Sequence, residues 1–288
     1  MKPITVGGSS SSSNIDMLPE DCVSTILSNT SPPEACKSSL ISSMFRSAAE
    51  SDIVWEKFLP SDYENIVSRA VTPVKFSSKK ELFYCFCSSV LIDGRSKSFK
   101  LDKFSGKKSY ILSARELSIT WSNEPMYWSW RSIPESRFPE VAELRTISWL
   151  EIKGKIKTKM LAPNTKYGAY LIMKVSVRAY GLDWMPSEIS VEVGDNVQNG
   201  TAYLCLKDLK QKEIETLFYS NRIEMLRERV VQGDGHVPCK REDGWMEIEL
   251  GEFFSGENDD EVKMSLMEVK GYQLKGGLII EGIEVRPK

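Results

Sequence analysis

The sequence predicts an α + β chain with a small helical part at the N-terminal end and a larger antiparallel β-sandwich behind it. Apolar residues recur at helical spacing through residues 17–60, and further helix-start signals continue that pattern to residue 92. From Tyr110 onward, apolar and polar residues alternate in short segments instead. A chain of 288 residues can hold one large core and one satellite module, so we expect two unequal domains.

The first part, residues 14–60, is typical of short helices separated by proline and serine. Pro19 and the two acids after it fit a first helical turn, where a missing N–H is harmless and negative charge suits the helix dipole. After Ser31, apolar residues recur every four positions and predict a helix that includes Leu40. Residues 1–13 contain a serine run and no apolar stretch, and we expect them to form a disordered tail.

The second part contains two helix-start signals. Ser61 to Glu64 and Ser78 to Glu81 both fit the capping-box pattern, and apolar residues at helical spacing follow the second, so we expect helix to residue 92. Residues 95–109 are rich in lysine, serine and glycine without strong periodicity, which favours a domain boundary there. The predicted units are a first helical module over 14–60, a helical linker over 61–107 and a sandwich domain over 108–288.

The third part is predicted to be β-structure because its segments alternate with period two. The alternating segments are 117–121, 150–156, 169–177, 189–193, 246–250 and 262–266. One apolar and one polar face per strand is the pattern of antiparallel sheets packed face to face, as in a jelly-roll-like sandwich. Residues 207–231 fit either a helix or a charged loop. No repeat of fixed length occurs, which disfavours propellers and solenoids.

Composition narrows the possible partners. The formal net charge is −2, so there is no long-range field to hold nucleic acid. The densest apolar runs, such as Ala169–Met173, are too short for a membrane span, and we expect no membrane partner. The six cysteines form no C-x-x-C pair and favour reduced thiols in a cytoplasmic or nuclear protein. No pattern predicts a cofactor or a metal site.

Catalytic patterns are scarce. His236 is the one histidine, and it lies in a glycine-rich loop, which leaves a single possible imidazole base. Glu247 and Glu249 fit the carboxylate pair of a glycoside hydrolase, but alternation along a solvated strand gives the same spacing. We therefore expect a binding protein rather than an enzyme.

The N-terminal part resembles an F-box. The resemblance lies in the Met17-Leu-Pro-Glu-Asp start and in the closing Trp55-Glu-Lys-Phe-Leu-Pro60. An F-box implies docking to the Skp-type adaptor of a cullin-RING ubiquitin ligase, through apolar side chains that the partner covers. The candidates for that contact or its support are Leu18, Pro19, Ile26, Leu27, Leu40 and Trp55. The alternative is that these residues only form the internal core of the small module.

The C-terminal part resembles the phloem-protein-2 domain that is shared with the tobacco agglutinin lectins. Its signatures include Tyr127-Trp-Ser-Trp130, Trp149-Leu-Glu-Ile-Lys-Gly-Lys155 and the closing run from Gly277 to Lys288. Together the two resemblances identify a plant F-box protein of the phloem-protein-2 B type. They cover most of the chain.

The lectin resemblance implies four carbohydrate-binding residues. At the matching positions stand Trp121, Trp128, Glu261 and Glu268. An indole can cover the C–H face of an N-acetylglucosamine-type sugar while carboxylates accept hydrogen bonds from its hydroxyls. Because aromatic residues that alternate along a strand often pack in the core, some of these tryptophans can equally be structural.

Taken together, these features predict the substrate-recognition subunit of a Skp-cullin-F-box ubiquitin ligase that holds a glycoprotein or protein target near the conjugating enzyme. One alternative is a glycan-binding lectin without ligase linkage. Another is a glycoside hydrolase.

Overall fold

The computed structural model describes residues 18–205 and 235–288. The expected tail over 1–13 and the ambiguous segment 207–231 lie outside the described residues. Six helices come first: α1 (Glu20–Ser28), α2 (Pro32–Ser38), α3 (Ser43–Glu50), α4 (Asp52–Phe58), α5 (Tyr63–Arg69) and α6 (Lys79–Cys87). Within the described ranges, no helix has the length and apolarity needed to cross a membrane.

Serine hydroxyls cap the starts of α2, α3 and α4, whereas α1 begins after Pro19 without a side-chain cap. The side chain of Ser31 accepts the N–H of Glu34 at the start of α2, and Ser42 accepts the N–H of Phe45 at the start of α3. Ser42 has extended backbone dihedrals, so it ends the preceding turn and starts a new helix. The prediction of one helix running through Leu40 is therefore wrong, because Leu40 lies in the turn between α2 and α3.

The helical linker predicted over 61–107 is helical only in part. At α6, Ser78 accepts the N–H of Glu81 as the capping box predicts, whereas no side chain caps the start of α5. After Cys87 the chain forms a hairpin of β1 (Val90–Ile92) and β2 (Lys97–Leu101). The helix expected to residue 92 is thus corrected to a strand.

Local chemistry explains this hairpin. Val90, Leu91 and Ile92 form a short apolar run with β-branched residues at both ends, which suits a strand. The three residues of the turn, Asp93 to Arg95, have φ values of 52°, 64° and 75°, which reverse the chain in the left-handed region. β2 then pairs with β3 (Lys108–Ser113), so the large sheet starts well before residue 108.

Two antiparallel sheets form the sandwich, as the alternation predicts. The large sheet contains, in spatial order, β1, β2, β3, β14 (Gly276–Pro287), β8 (Thr165–Tyr180), β12 (Met246–Ser255) and β11 (Cys239–Lys240), with β6 (Val141–Leu144) beside β14 and β5 (Trp128–Arg131) beside β6. The small sheet contains β10 (Asn196–Ala202), β9 (Ser187–Val193), β13 (Glu261–Glu268), β7 (Leu150–Lys157) and β4 (Ser118–Ile119). Five of the six predicted alternating segments are strands. The first, 117–121, keeps only β4, because Trp121 has a φ of 55° and turns the chain away.

A single core joins the helices to the sandwich. Trp55 on α4 packs against Phe83 on α6 with ring centroids 5.3 Å apart. Phe86 on α6 meets Phe99 on β2 at 5.1 Å, and Phe99 meets Tyr110 on β3 at 5.3 Å. Buried rings at these separations attract one another beyond their burial. The helical module is therefore packed onto the sandwich through α6 and the hairpin.

Candidate functional sites

Four of the six residues predicted for adaptor binding are accessible to a partner. Ile26 on α1 is 52% exposed and Leu40 is 81% exposed, which is unusual for branched aliphatic side chains. Pro19 is also exposed, and Leu18 is half-buried against the core. These side chains can contact another protein directly.

The other two predicted residues, Leu27 and Trp55, are buried. The indole Nε1 of Trp55 donates a hydrogen bond of 2.7 Å to the carbonyl of Ala49, and its ring packs on Phe58 and Phe83. Leu27 is likewise sealed by the module itself. Leu27 and Trp55 can thus only support an adaptor surface from inside.

Sequence reasoning missed two exposed side chains, Ile41 beside Leu40 and Ile53 on α4. The exposure of Ile53 could have been predicted. Ile53 precedes the buried Trp55 by two residues, so its side chain points about 200° around the helix from that of Trp55. Ile41 lies in a turn and has no periodic signal. We call Ile26, Leu40, Ile41 and Ile53 the exposed apolar set.

The two tryptophans predicted for carbohydrate binding differ in their exposure to solvent. Trp121 is 49% exposed and lies 5.2 Å from the ring of Tyr127 with a tilt of 35°. Trp128 is 2% exposed, and its Nε1 donates a 3.0 Å hydrogen bond to the carbonyl of Thr120. Trp128 therefore offers no ring face to a sugar, whereas Trp121 does.

The two predicted glutamates lie at opposite ends of β13. Seven residues of extended strand separate them by about 23 Å. Glu261 is partly exposed and pairs with Lys155 at 3.2 Å. Glu268 is 6% exposed, forms an ion pair with the buried Lys275, and accepts the N–H of Gly271 at 3.0 Å. The structure consequently does not bring the four predicted residues into one site.

An unpredicted cluster lies beside Trp121. Glu151 on β7 accepts hydrogen bonds from the Thr120 hydroxyl at 2.9 Å and from the Trp149 indole at 3.4 Å, and it pairs with Lys153. The Lys153 hydrogen bond, followed by those of Thr120 and Trp149, lowers the pKa of Glu151, which keeps the carboxylate charged at neutral pH. Trp149, like Trp121, is exposed. We call Trp121, Trp149 and Glu151 the indole–carboxylate cluster; its sequence signal is the Trp149-Leu-Glu motif.

The carboxylate pair considered for glycosidase chemistry is held by cations. Glu247 binds Arg241 and Arg286, and Glu249 binds Lys288 at 2.7 Å. Burial acts to raise the pKa of Glu247, but the hydrogen bonds and charges of Arg286 and Arg241 together outweigh burial and leave the pKa lowered. A general acid needs a raised pKa, so this pair suits a structural role.

Protein families and relatives agree with this architecture. Residues 15–57 match the F-box domain, and residues 107–287 match phloem protein 2. The fold and its exposed helical surface thus define an F-box protein with a phloem protein 2 sandwich. F-box proteins are generally receptors or adaptors rather than catalysts.

Close relatives place the chain more narrowly. It is 58% identical to F-box protein PP2-B13 of Arabidopsis thaliana and 56% identical to F-box protein PP2-B15, in each case over 94% of this chain and at least 96% of the relative. F-box protein VBF of the same plant is 54% identical over 94% of this chain and 99% of its own length. The chain belongs to this family of plant F-box proteins of the PP2-B group.

Proposed function

We propose that this protein is the substrate-recognition subunit of an SCF-type ubiquitin ligase. The helices bind a Skp-type adaptor and, through it, the cullin-RING ligase, while the sandwich binds the target. The observation that carries the proposal is the exposed apolar set, which lies within or directly beside the short helices of an F-box. Apolar side chains left in water by a folded module mark a surface that a partner covers.

The free energy gained by covering the exposed apolar set is sufficient for a stable complex. Fully burying one aliphatic side chain contributes about 1.5–3 kcal/mol, so covering the exposed apolar set contributes several kcal/mol. Leu27 and Trp55 fill the module's interior, which holds the exposed side chains in place with little loss of entropy on binding.

The mechanism is positioning rather than chemistry. Because α6 and the hairpin share one core with the sandwich, a target bound to the sandwich moves with the helices that hold the adaptor. Such tethering raises the concentration of target lysines near the charged conjugating enzyme. We propose that it acts in the cytoplasm or nucleus, where reduced thiols such as those of Cys22 and Cys239 persist.

Copurification with a Skp-type adaptor tests the proposal. We expect the full chain to form a complex at micromolar concentration and the Ile26→Asp/Ile53→Asp variant to bind about 100-fold more weakly. Val177→Asp provides the matched control, because Val177 is an exposed apolar residue on β8. Absence of a wild-type complex, or equal binding by the double variant, would refute the adaptor role.

The indole–carboxylate cluster supports a glycan or glycoprotein as the target. Trp121 and Trp149 are exposed, and Trp149 lies beside the charged carboxylate of Glu151; indole faces and a carboxylate are the chemistry that holds a sugar ring. Titration with N-acetylglucosamine oligomers should quench tryptophan fluorescence in the wild type and in Trp184→Ala, an exposed tryptophan outside the cluster. Trp149→Ala should abolish the quenching. Glycan binding without any adaptor complex would instead indicate a lectin without ligase linkage.

A further inference from the structure

A second candidate site lies on the outer face of the large sheet, near Tyr127, whose ring packs on Trp121. It is a groove of about 630 Å³ between β5 and β6 on one side and the last residues of β8 on the other. Its lining includes Ser129, Arg131, Glu143, Arg145, Ser176 and Arg178. We call it the arginine groove.

Strand register explains why these side chains converge. Ser129 on β5 lies opposite Glu143 on β6, which lies opposite Ile279 on β14, which in turn lies opposite Lys174 on β8. Residues directly opposite in antiparallel pairs share a face, and every second residue along each strand shares it too. Arg131 and Arg145, two residues beyond Ser129 and Glu143, therefore lie on the same side as Glu143. Ser176 and Arg178 line the same groove across the irregular pairing of β8 with β14.

Glycines keep the floor of the groove open. Gly276 and Gly277 of β14 pass between its two walls at a bulge. A Cβ at Gly276 would lie 2.4 Å from the carbonyl oxygen of Arg145, and Gly277 has a φ of 82°. Only glycine tolerates both conditions, so this sequence lets the walls approach each other above a bare backbone.

The groove has an excess of positive charge without internal partners. Neither the Arg145 nor the Arg178 guanidinium has an ion pair or side-chain hydrogen bond within 18–205 and 235–288. Arg131 pairs with Glu143 at 2.7 Å, so three arginines face one carboxylate. The whole chain carries a formal charge of −2, which makes this local excess distinct.

The backbone of Arg145 is fixed before any ligand arrives. Its N–H donates to the carbonyl of Tyr127 at 2.8 Å, and its own carbonyl accepts the Tyr180 hydroxyl at 3.1 Å. A fixed backbone reduces the entropy lost when the guanidinium engages an anion.

The side chains that line the arginine groove suit a phosphate better than a neutral sugar. The one indole in the groove, Trp130, is stacked by Arg115 at 3.6 Å, and its Nε1 donates to the Ser122 carbonyl at 2.9 Å. That ring has one face covered and its polar atom in use. The guanidinium groups of Arg145 and Arg178 and the hydroxyl of Ser176 instead match the oxygens of a phosphate dianion.

We propose that the arginine groove binds a phosphorylated segment of the target protein. Arg145 and Arg178 hold the phosphate, Ser176 can donate a further hydrogen bond, and Glu143, which accepts the Ser129 hydroxyl, repels segments with carboxylates at that wall. Phosphorylation of a target would thereby create the group that this receptor holds. The biological meaning rests on the proposed receptor function, but binding to the groove needs no adaptor.

The test uses the full chain and fluorescein-labelled degenerate nonapeptides with a phosphoserine fixed at the centre, measured by fluorescence anisotropy. A second pool with serine at the centre reports the contribution of the phosphate. We expect the phosphoserine pool alone to bind, and Arg145→Gln/Arg178→Gln to weaken binding about 100-fold, because each charged hydrogen-bond partner contributes roughly tenfold. Glu143→Gln should strengthen it about threefold by removing a repulsive charge.

Lys155→Gln/Lys263→Gln is the matched control, because it removes two exposed charges from the outer face of the small sheet. Equal binding of both peptide pools, or equal losses in the two double variants, would overturn the proposal. So would binding of a heparin hexasaccharide that depends on Arg145 and Arg178 when neither peptide pool binds, since that would assign the groove to an acidic glycan. Adaptor copurification in parallel separates this result from failure of the ligase role.

Discussion

Arg69 donates two hydrogen bonds, each 2.8 Å long, from its Nε and Nη2 to the two carboxylate oxygens of Asp93. The bond joins the end of α5 to the turn between β1 and β2, so it fixes the helices to the edge of the large sheet. The Arg69 hydrogen bond is the main cause of the lowered pKa of Asp93. The pair is thus ionised at neutral pH and geometrically specific.

Asp93→Asn should reduce the free energy of unfolding by about 1 kcal/mol at pH 7, since both side chains remain partly open to solvent. The folded pKa of Asp93 is depressed, so the contribution is fully present above the unfolded value of about 3.9. It is lost as pH falls through the folded pKa. Urea unfolding of both proteins from pH 7 to pH 3 measures it, and a pH-independent difference would contradict the assignment.

Glu268→Ala should destabilise the protein by about 3–5 kcal/mol, because it leaves the Lys275 ammonium buried without its anion. Glu261→Ala, at the exposed end of the same strand, should cost less than about 1 kcal/mol. Chemical denaturation compares the two variants directly. Equal small losses would show that Glu268 is not a structural residue and would restore it as a candidate carbohydrate-binding residue.

Gly282→Ala should cost at least about 3 kcal/mol, because a Cβ there would lie 1.9 Å from the Leu112 carbonyl oxygen and force β14 away from β3. Gly94→Ala is the control, since Gly94 has a φ of 64° but open space around its Cα, and should cost about 1 kcal/mol. Thermal unfolding followed by circular dichroism reports both. Similar melting temperatures for the two variants would contradict the predicted clash between a Cβ at residue 282 and the Leu112 carbonyl.

Trp128→Ala should destabilise the sandwich by about 3–5 kcal/mol, whereas Trp121→Ala should leave the free energy of unfolding nearly unchanged. The reason is that Trp128 fills the core and Trp121 projects into solvent. Glycan titration of the Trp121→Ala variant then reports ligand contact without a folding defect. Retained glycan affinity in that folded variant would remove Trp121 from the proposed site.

Local signals in the sequence predicted the fold well. The cap at Ser78 and the alternation along β7 to β9, β12 and β13 depend on neighbours a few positions away, and such signals are readable in the chain itself, although the capping box expected at Ser61 does not form. The hairpin β1–β2 escaped prediction because the helical spacing that follows Ser78 extends to Val90, although the run Val90–Ile92 and the turn after it carry local strand and turn signals.

The candidate sites were predicted less completely, because they depend on contacts between residues that are far apart in the chain. Whether Trp121 or Trp128 faces solvent depends on a turn at Trp121 that ends β4, and alternation alone gives both the same status. The pairing of Glu268 with Lys275 and the position of Leu40 between two helices likewise follow from packing rather than from spacing. The arginine groove joins strands whose residues are far apart in the chain.

Proteolysis between Leu101 and Lys108, followed by loss of the N-terminal fragment, would remove β1 and β2 from β3. Every residue of β3 is buried, so the remaining sandwich would carry an open hydrogen-bonding edge flanked by apolar side chains. Edges of that kind recruit other strands and aggregate. We therefore expect that the sandwich aggregates once β1 and β2 are lost with the helices, so that both proposed binding activities are lost together.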